Sequence, residues 1–378
     1  MRMRLGFKAV VYGLMALASG LPMGARASVD VVQSVPLETN LAIPGIQDTQ
    51  SAWLELINSA KQSIDLEEFY MSGADVLTPV VNALKAAATR GVQIRIILDK
   101  GFYKTYPTDA QALATVANVK VKTIDFSKLG GIMHAKYFVV DRQRAYVGSA
   151  NFDWLALSHI QEVGLKVDDQ QLGAGLESVF NLDWASGQAP STATFFEEVK
   201  TAFINPLVQL YASPTTDVPA DVPPSLNALL NLMKNAKSSL KIQLYEYSTS
   251  LYGSTTKFRD LDNAIRAAAL RGVKVEMALD KTAQKAGASD LLALSKIANI
   301  SIKTITIPQW SGGALQYARV AHSKYMIVDD TQVWIGSENW SGDYFSSSRN
   351  VGIISSDNHV LSKIAQIFNK VWTSAYVR

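Results

Sequence analysis

An α/β fold built twice in tandem, each copy a mixed sheet flanked by helices, is what this sequence predicts. Three observations carry that expectation. Blocks of sequence recur along the chain at a slowly drifting offset. Helical and strand periodicities alternate inside each block. One eight-residue stretch with a histidine and a lysine occurs once in each copy.

Residues 1–27 stand apart from the repeat. Arg2, Arg4 and Lys8 precede an apolar run over residues 9–23, which ends at Ala25-Arg26-Ala27. A basic start, an apolar middle and a small-residue cleavage site read as a secretory signal peptide. Export to the periplasm or the exterior is therefore expected. The rival, a retained anchor, is disfavoured by Pro22 and the cleavage motif. The segment also changes the charge balance. The chain carries 36 Lys plus Arg against 33 Asp plus Glu, and four of those basic residues lie in residues 1–27. The remainder holds 32 against 33, so no global attraction to nucleic acid or to an anionic membrane survives. The absence of cysteine excludes a disulfide framework, a lipidated cysteine and thiolate metal ligands.

The first copy is expected over residues 28–205 and the second over residues 225–378. Residues 206–224, with Pro206, Pro214, Pro219, Pro223 and Pro224, read as a proline-rich linker. Ser225 is placed to cap the helix that follows. Ala60-Lys61-Gln62-Ser63-Ile64 recurs as Ala236-Lys237-Ser238-Ser239-Leu240, at an offset of 176. Arg90-Gly91-Val92 and Leu98-Asp99-Lys100 recur as Arg271-Gly272-Val273 and Leu279-Asp280-Lys281, at 181. Such a drift requires only small loop insertions, so both copies share one fold.

Within the first copy, Trp53, Leu54, Ile57 and Ala60 have helical spacing, and residues 64–70 are a strand candidate. Residues 76–89 predict an amphipathic helix that stops at Arg90-Gly91. The β-branched run over residues 92–98 predicts a strand. A helix near residues 108–117 and a strand over residues 119–124 repeat the theme, an alternation that implies a sheet with helices packed on its faces.

The stretch His134-Ala135-Lys136-Tyr137-Phe138-Val139-Val140-Asp141 leads to Gly148-Ser149-Ala150-Asn151. Its second copy, His322-Ser323-Lys324-Tyr325-Met326-Ile327-Val328-Asp329, leads to Gly336-Ser337-Glu338-Asn339 at an offset of 188. Residues two apart on a strand share a face, so each His and Lys points at one ligand. Asp141 and Asp329 lie an odd seven residues from their histidines and are assigned a structural, turn-fixing role. A single His-x-Lys is usually surface decoration or a satisfied core histidine. Two copies with the same Asp and Gly-Ser-x-Asn point to function. His159 and His359 lack that company and read as surface or structural residues.

These residues resemble the phospholipase D superfamily, whose signature is H-x-K-x4-D followed by G-S-x-N. The resemblance covers nearly all of the chain after residue 27. A closer similarity is to the lysosomal phospholipase-D-like exonucleases and their poxviral envelope relatives. It rests on residues 54–70, on Gly148-Ser149-Ala150-Asn151-Phe152-Asp153-Trp154, on residues 317–326 and on residues 339–345. The chain departs from those exonucleases in having no cysteines and a signal peptide in place of a membrane anchor.

The resemblance implies two phospholipase-D-like halves related by pseudo-twofold symmetry, with one active site between them. It implies a phosphodiesterase acting through a covalent phosphohistidine, with His134, Lys136, His322 and Lys324 catalytic. Lys136 and Lys324 neutralise the phosphoryl oxygens, so no metal and no cofactor is required. Asn151 and Asn339, with Ser149 and Ser337, donate further hydrogen bonds to phosphate. Glu162 lies 28 residues after His134, at the spacing where the family sets a carboxylate against the histidine ring; its counterpart after His322 is Asn350, a structural residue of the motif. That asymmetry makes His134 the expected nucleophile and His322 the expected acid.

A phospholipid is the first expected substrate, with transient contact to a membrane surface and no obligate protein partner. Cleavage of single-stranded nucleic acid by a 5′ exonuclease is the alternative. Phe152, Trp154, Trp340, Tyr344 and Phe345 beside the motifs would serve either substrate. A catalytically silent phosphate-binding module is the third reading, and its mark would be the loss of one His or Lys. Neither is lost.

Overall fold

The computed structural model describes residues 27–186 and 207–378. The signal-peptide assignment lies almost entirely outside the described residues.

The first half builds an eight-stranded sheet. From edge to edge it runs Gln47–Asp48, Ser28–Ser34, Glu162–Asp168, Arg144–Gly148, Lys136–Val140, Ser63–Glu68, Gln93–Asp99 and Val119–Ile124. The last three strands are mutually parallel, and Lys136–Val140 joins them antiparallel. The second half repeats this order in seven strands: Val208–Ser213, Asn350–Ser355, Gln332–Gly336, Tyr325–Val328, Ser239–Leu244, Lys274–Asp280 and Ile300–Ile305.

The helices Thr49–Ser59 and Thr78–Thr89 lie where periodicity places them. Asp48 starts the first by accepting from the Ser51 amide, and the second ends at Arg90-Gly91, where Gly91 takes φ 95°. Trp53, buried on the first helix, stacks on Phe152 with centroids 4.3 Å apart. The outer face of each sheet packs on its own helices. The other faces of both sheets meet, with the helices Gln170–Ser186 and Asn358–Trp372, in one shared apolar cluster. The halves therefore share a core.

Two expectations are corrected here. Residues 206–224 are not simply a linker, because Val208–Ser213 is the edge strand of the second sheet, paired antiparallel with Asn350–Ser355. Val208, Leu210 and Ala212 are buried in alternation, and Pro214 follows the strand without interrupting it. Ser225 does not cap the helix Ser225–Asn235; it is the first helical residue and Pro224 holds the cap position.

The motif aspartates close the turns after the catalytic strands. Asp141 adopts φ 53° and Asp329 φ 52°, the left-handed region that aspartate tolerates. Asp141 accepts from the amides of Lys61, Gln62 and Ser63; Asp329 does the same for Lys237, Ser238 and Ser239. Burial works against ionisation of Asp141, but these amides and Arg144 outweigh it and hold its pKa low. Its stabilisation is thus present above the ordinary carboxylate range and is lost as pH falls through the lowered pKa. Asp141→Ala should cost about 1–3 kcal/mol in denaturant titration. Turnover per folded molecule should stay unchanged, since Asp141 follows the end of the strand opposite Lys136.

Candidate active site

The two motifs meet because each half completes the other. A backbone bridge joins Met133 to Arg349, and the His134 amide donates to the Arg349 carbonyl at 2.8 Å. Its symmetry mate joins Gln161 to Ala321, and the His322 amide donates to the Gln161 carbonyl at 2.9 Å. Each histidine therefore enters beside the start of a strand from the opposite half.

This crossing overturns the expected pairing of the histidines. Glu162 does not lie behind His134: its Oε1 is 2.8 Å from Nδ1 of His322. Asn350 faces His134 instead, with Oδ1 3.1 Å from Nδ1. The physical reason is the pair of bridges, since Glu162 follows Gln161 and Asn350 follows Arg349. Asn350 is thus a site residue and not only a structural one. Its Nδ2 donates to the carbonyl of Tyr344 at 2.8 Å, which fixes the amide with Oδ1 toward His134. An amide oxygen only accepts, so Nδ1 of His134 carries hydrogen and Nε2 is left for the substrate.

The motif serines are also reassigned. Ser149 Oγ donates to Glu162, and Ser337 Oγ donates to Asn350 Oδ1 at 3.0 Å. Each serine is spent on orienting the group behind a histidine and has no second proton for phosphate. Gly148, ahead of Ser149, permits a close approach. A Cβ there would sit 2.5 Å from the Tyr146 hydroxyl and 2.7 Å from Cα of Gly164. Asn151 and Asn339 are buried beside the motifs, and neither side-chain oxygen has a partner among the described residues.

Lys136 and Lys324 occupy equivalent positions. Each ammonium donates to the carbonyl of its own motif histidine at 2.6 Å. Each lies over an aromatic ring, Lys136 5.2 Å above Phe69 and Lys324 5.4 Å above Tyr245. The same two rings meet His134 and His322 edge-on, at 5.0 Å and 4.7 Å.

Burial dominates the proton affinities. It pushes His134 and His322 well below the usual imidazole range, with the lysine charges adding to the effect. Lys136 is brought down to about 7 by burial, against the pull of Glu68, Glu162 and Glu338. Lys324 is lowered strongly for the same reason. Burial raises Glu162 to about 8, opposed by Lys324, Ser149 and Lys136. The site by itself favours neutral groups, and an entering phosphodiester anion reverses this by stabilising ammonium and imidazolium.

The aromatic expectation changes most. Phe152, Trp340 and Phe345 are buried in the outer cores, and Trp154 packs against one of them. Of the five rings named from sequence, Tyr344 meets a catalytic ring, edge-on to His134 at 5.0 Å. The rings that lead outward are others. Phe102 lies 3.9 Å from Phe69 between centroids, Tyr70 packs on both, and Tyr106 stacks on Tyr70 at 4.9 Å. Phe69 and Tyr245 occupy one repeat position, 176 residues apart, and that alignment was the available signal. His159 is buried against Trp310, and His359 is exposed 3.4 Å from Asp30.

Two half-sites, each with a histidine, a lysine and a backing group from the other half, define a hydrolase of phosphoric diesters on a duplicated α/β scaffold. A family model described as "Cardiolipin synthase, PLD-like domain" matches residues 53–184 and again residues 229–372. The chain belongs to the phospholipase D superfamily. Phospholipase D Z of Dictyostelium discoideum is 30% identical over 383 residues, spanning 92% of this chain and 90% of that protein. The human 5'-3' exonuclease PLD3 is 30% identical over 390 residues, spanning 92% of this chain and 79% of that protein. The fold is shared with the phosphatidylserine synthase of Haemophilus influenzae, with a TM-score of 0.61 at 12% identity over 87% of this chain and 84% of that one.

Proposed function

We propose that this protein is an exported phosphodiesterase that cleaves single-stranded nucleic acid through a phosphohistidine on His322. The observation that carries the nucleophile is the Glu162–His322 contact. Nε2 of His322 attacks phosphorus, and the bond from phosphorus to the leaving oxygen breaks as His134 gives that oxygen its proton. Glu162 stabilises the charge that the His322 ring acquires. Water then attacks phosphorus in line, passes its proton to His134 and releases His322. Lys136 and Lys324 stabilise the phosphoryl oxygens in both steps, so turnover is expected to persist in excess chelator. Among the described residues no cluster of carboxylates and imidazoles has metal-binding spacing.

The substrate reading rests on the aromatic ledge that runs from His134 through Phe69 to Phe102. Phe102 is 37% exposed, enough to offer a face to a base. The other large apolar side chains exposed among the described residues are Leu37, Tyr252, Leu270, Leu292 and Tyr317, dispersed along the sequence. The similarity to a protein named phospholipase D keeps a phospholipid as the second reading. Export rests on residues 1–27.

The test compares a 5′-hydroxyl oligonucleotide, phosphatidylcholine vesicles and a p-nitrophenyl phosphodiester, with His322→Asn as blank. Phe102→Ala should weaken oligonucleotide binding by about 1–3 kcal/mol and leave p-nitrophenyl turnover unchanged. Faster cleavage of vesicles than of oligonucleotide, insensitive to Phe102, would transfer the proposal to the lipid.

A further inference from the structure

Beneath Lys136 lies a carboxylate that the mechanism has not used. Glu68 ends the strand Ser63–Glu68 and is the register partner of Lys136 across the antiparallel ladder. Paired residues project to the same face, so the carboxylate is on the ammonium's side of the sheet. Both side chains are fully buried. Neither oxygen of Glu68 makes a well-formed hydrogen bond among the described residues. The repeat position in the second half is apolar, because the matching strand Ser239–Leu244 ends in Leu244; the carboxylate of that region that acts on Lys324 is Glu246, two residues beyond the strand.

We propose that Glu68 is a positioning residue that keeps Lys136 charged and in place for the phosphoryl group. The inference rests on the reading of Lys136 as a phosphate clamp. Glu68 is faced by Lys136, the Phe152 amide, Glu162 and the Tyr146 hydroxyl. Lys136 is faced by Glu68, Glu162, Glu338 and Asp99, and on the repulsive side by Lys324 and the two histidines. Burial drives Glu68 and Lys136 toward their neutral forms, and each opposes that drive in the other. A phosphodiester anion adds to the same balance, so the ammonium forms where the substrate is bound. The two lysines are thereby unequal. Lys136 is brought down to about 7 with its ladder partner Glu68 first among the opposing carboxylates, whereas Lys324 is lowered strongly and is opposed by Glu162, Glu246 and Asp280.

Removing the Glu68 charge lowers the pKa of Lys136, so oxyanion binding must weaken at neutral pH and recover in acid. Vanadate inhibition of p-nitrophenyl phosphodiester cleavage, or vanadate calorimetry where turnover is too slow, reads this directly. Glu68→Gln should bind vanadate about tenfold more weakly than wild type at pH 7 and within about twofold of it at pH 5. Glu68→Asp, which keeps the charge, should restore most of the affinity at pH 7. Equal weakening of Glu68→Gln at both pH values, or no weakening at either, overturns the inference. If Glu68→Gln does not fold, wild-type-like folding of Glu68→Asp with a pH-independent loss overturns it equally. Lys136→Ala separates the two readings. Unchanged vanadate affinity there removes the phosphate clamp itself, whereas a loss in Lys136→Ala with none in Glu68→Gln removes Glu68 alone.

Discussion

His134→Asn should accumulate a covalent phosphoenzyme on a p-nitrophenyl phosphodiester, and His322→Asn should not. The activated leaving group departs without a proton, so His134→Asn still permits attack by His322. The following hydrolysis needs a base to activate water, and that base is gone. The intermediate therefore builds up in the variant that lacks the acid-base histidine. Steady-state turnover should fall by about 10²–10⁴-fold in His134→Asn. In His322→Asn it should fall further, by roughly 10⁴-fold or more, since the nucleophile is lost. Intact-protein mass spectrometry after an acid-free quench reads the adduct, and its location is read by peptide mapping. An adduct in His322→Asn and none in His134→Asn would return the nucleophile to His134 and leave Glu162 serving the acid. Glu162→Gln refines the result. It keeps an acceptor for Nδ1 but removes the charge, and a loss near that of His322→Asn is expected if Glu162 stabilises the phosphorylated ring.

The expectation of the opposite assignment from sequence shows where legibility ends. The duplicated fold was legible because helical and β-branched periodicities recur with the same order, and residues 49–124 fold close to the segments those periodicities mark. His134, Lys136, His322 and Lys324 were legible because the spacing is repeated. The partner of each histidine was not. A separation of 28 residues is the same number whether Glu162 folds back on its own half or crosses to the other. The crossing is set by two short backbone bridges, from Met133 to Arg349 and from Gln161 to Ala321, and no periodicity announces them. The aromatic ledge was missed for a different reason. Phe152 and Phe345 stand beside motif residues in sequence yet face the outer cores. Phe69, far from the motif in sequence, reaches His134 because it directly follows the strand Ser63–Glu68, which pairs with the catalytic strand.

Arg349 carries the largest expected stability effect, and its position explains why the effect reaches the site. The side chain is fully buried between the halves. Its guanidinium grips Asp183 with two bonds, at 2.6 Å and 2.8 Å, and meets Asp217 at 3.1 Å. The carbonyls of Ser213 and Asp217 accept from Nη1, both at 2.6 Å. On the backbone the same residue accepts from the His134 amide and precedes Asn350. Arg349→Met would strand two carboxylates in a low-dielectric interface and should cost about 3–5 kcal/mol in denaturant unfolding. Arg349→Lys should recover only part of this, since an ammonium cannot reproduce the bidentate grip or reach both carbonyls. The pH dependence supplies an independent check. An uncompensated buried carboxylate has a folded pKa above its unfolded value, so the folded variant binds more protons than the unfolded chain. Its stability then falls as pH rises, and the deficit of Arg349→Met relative to wild type should narrow toward acid pH. A deficit that is constant with pH would mean that lost packing against Phe126, 5.7 Å from the guanidinium, matters more than the stranded charge.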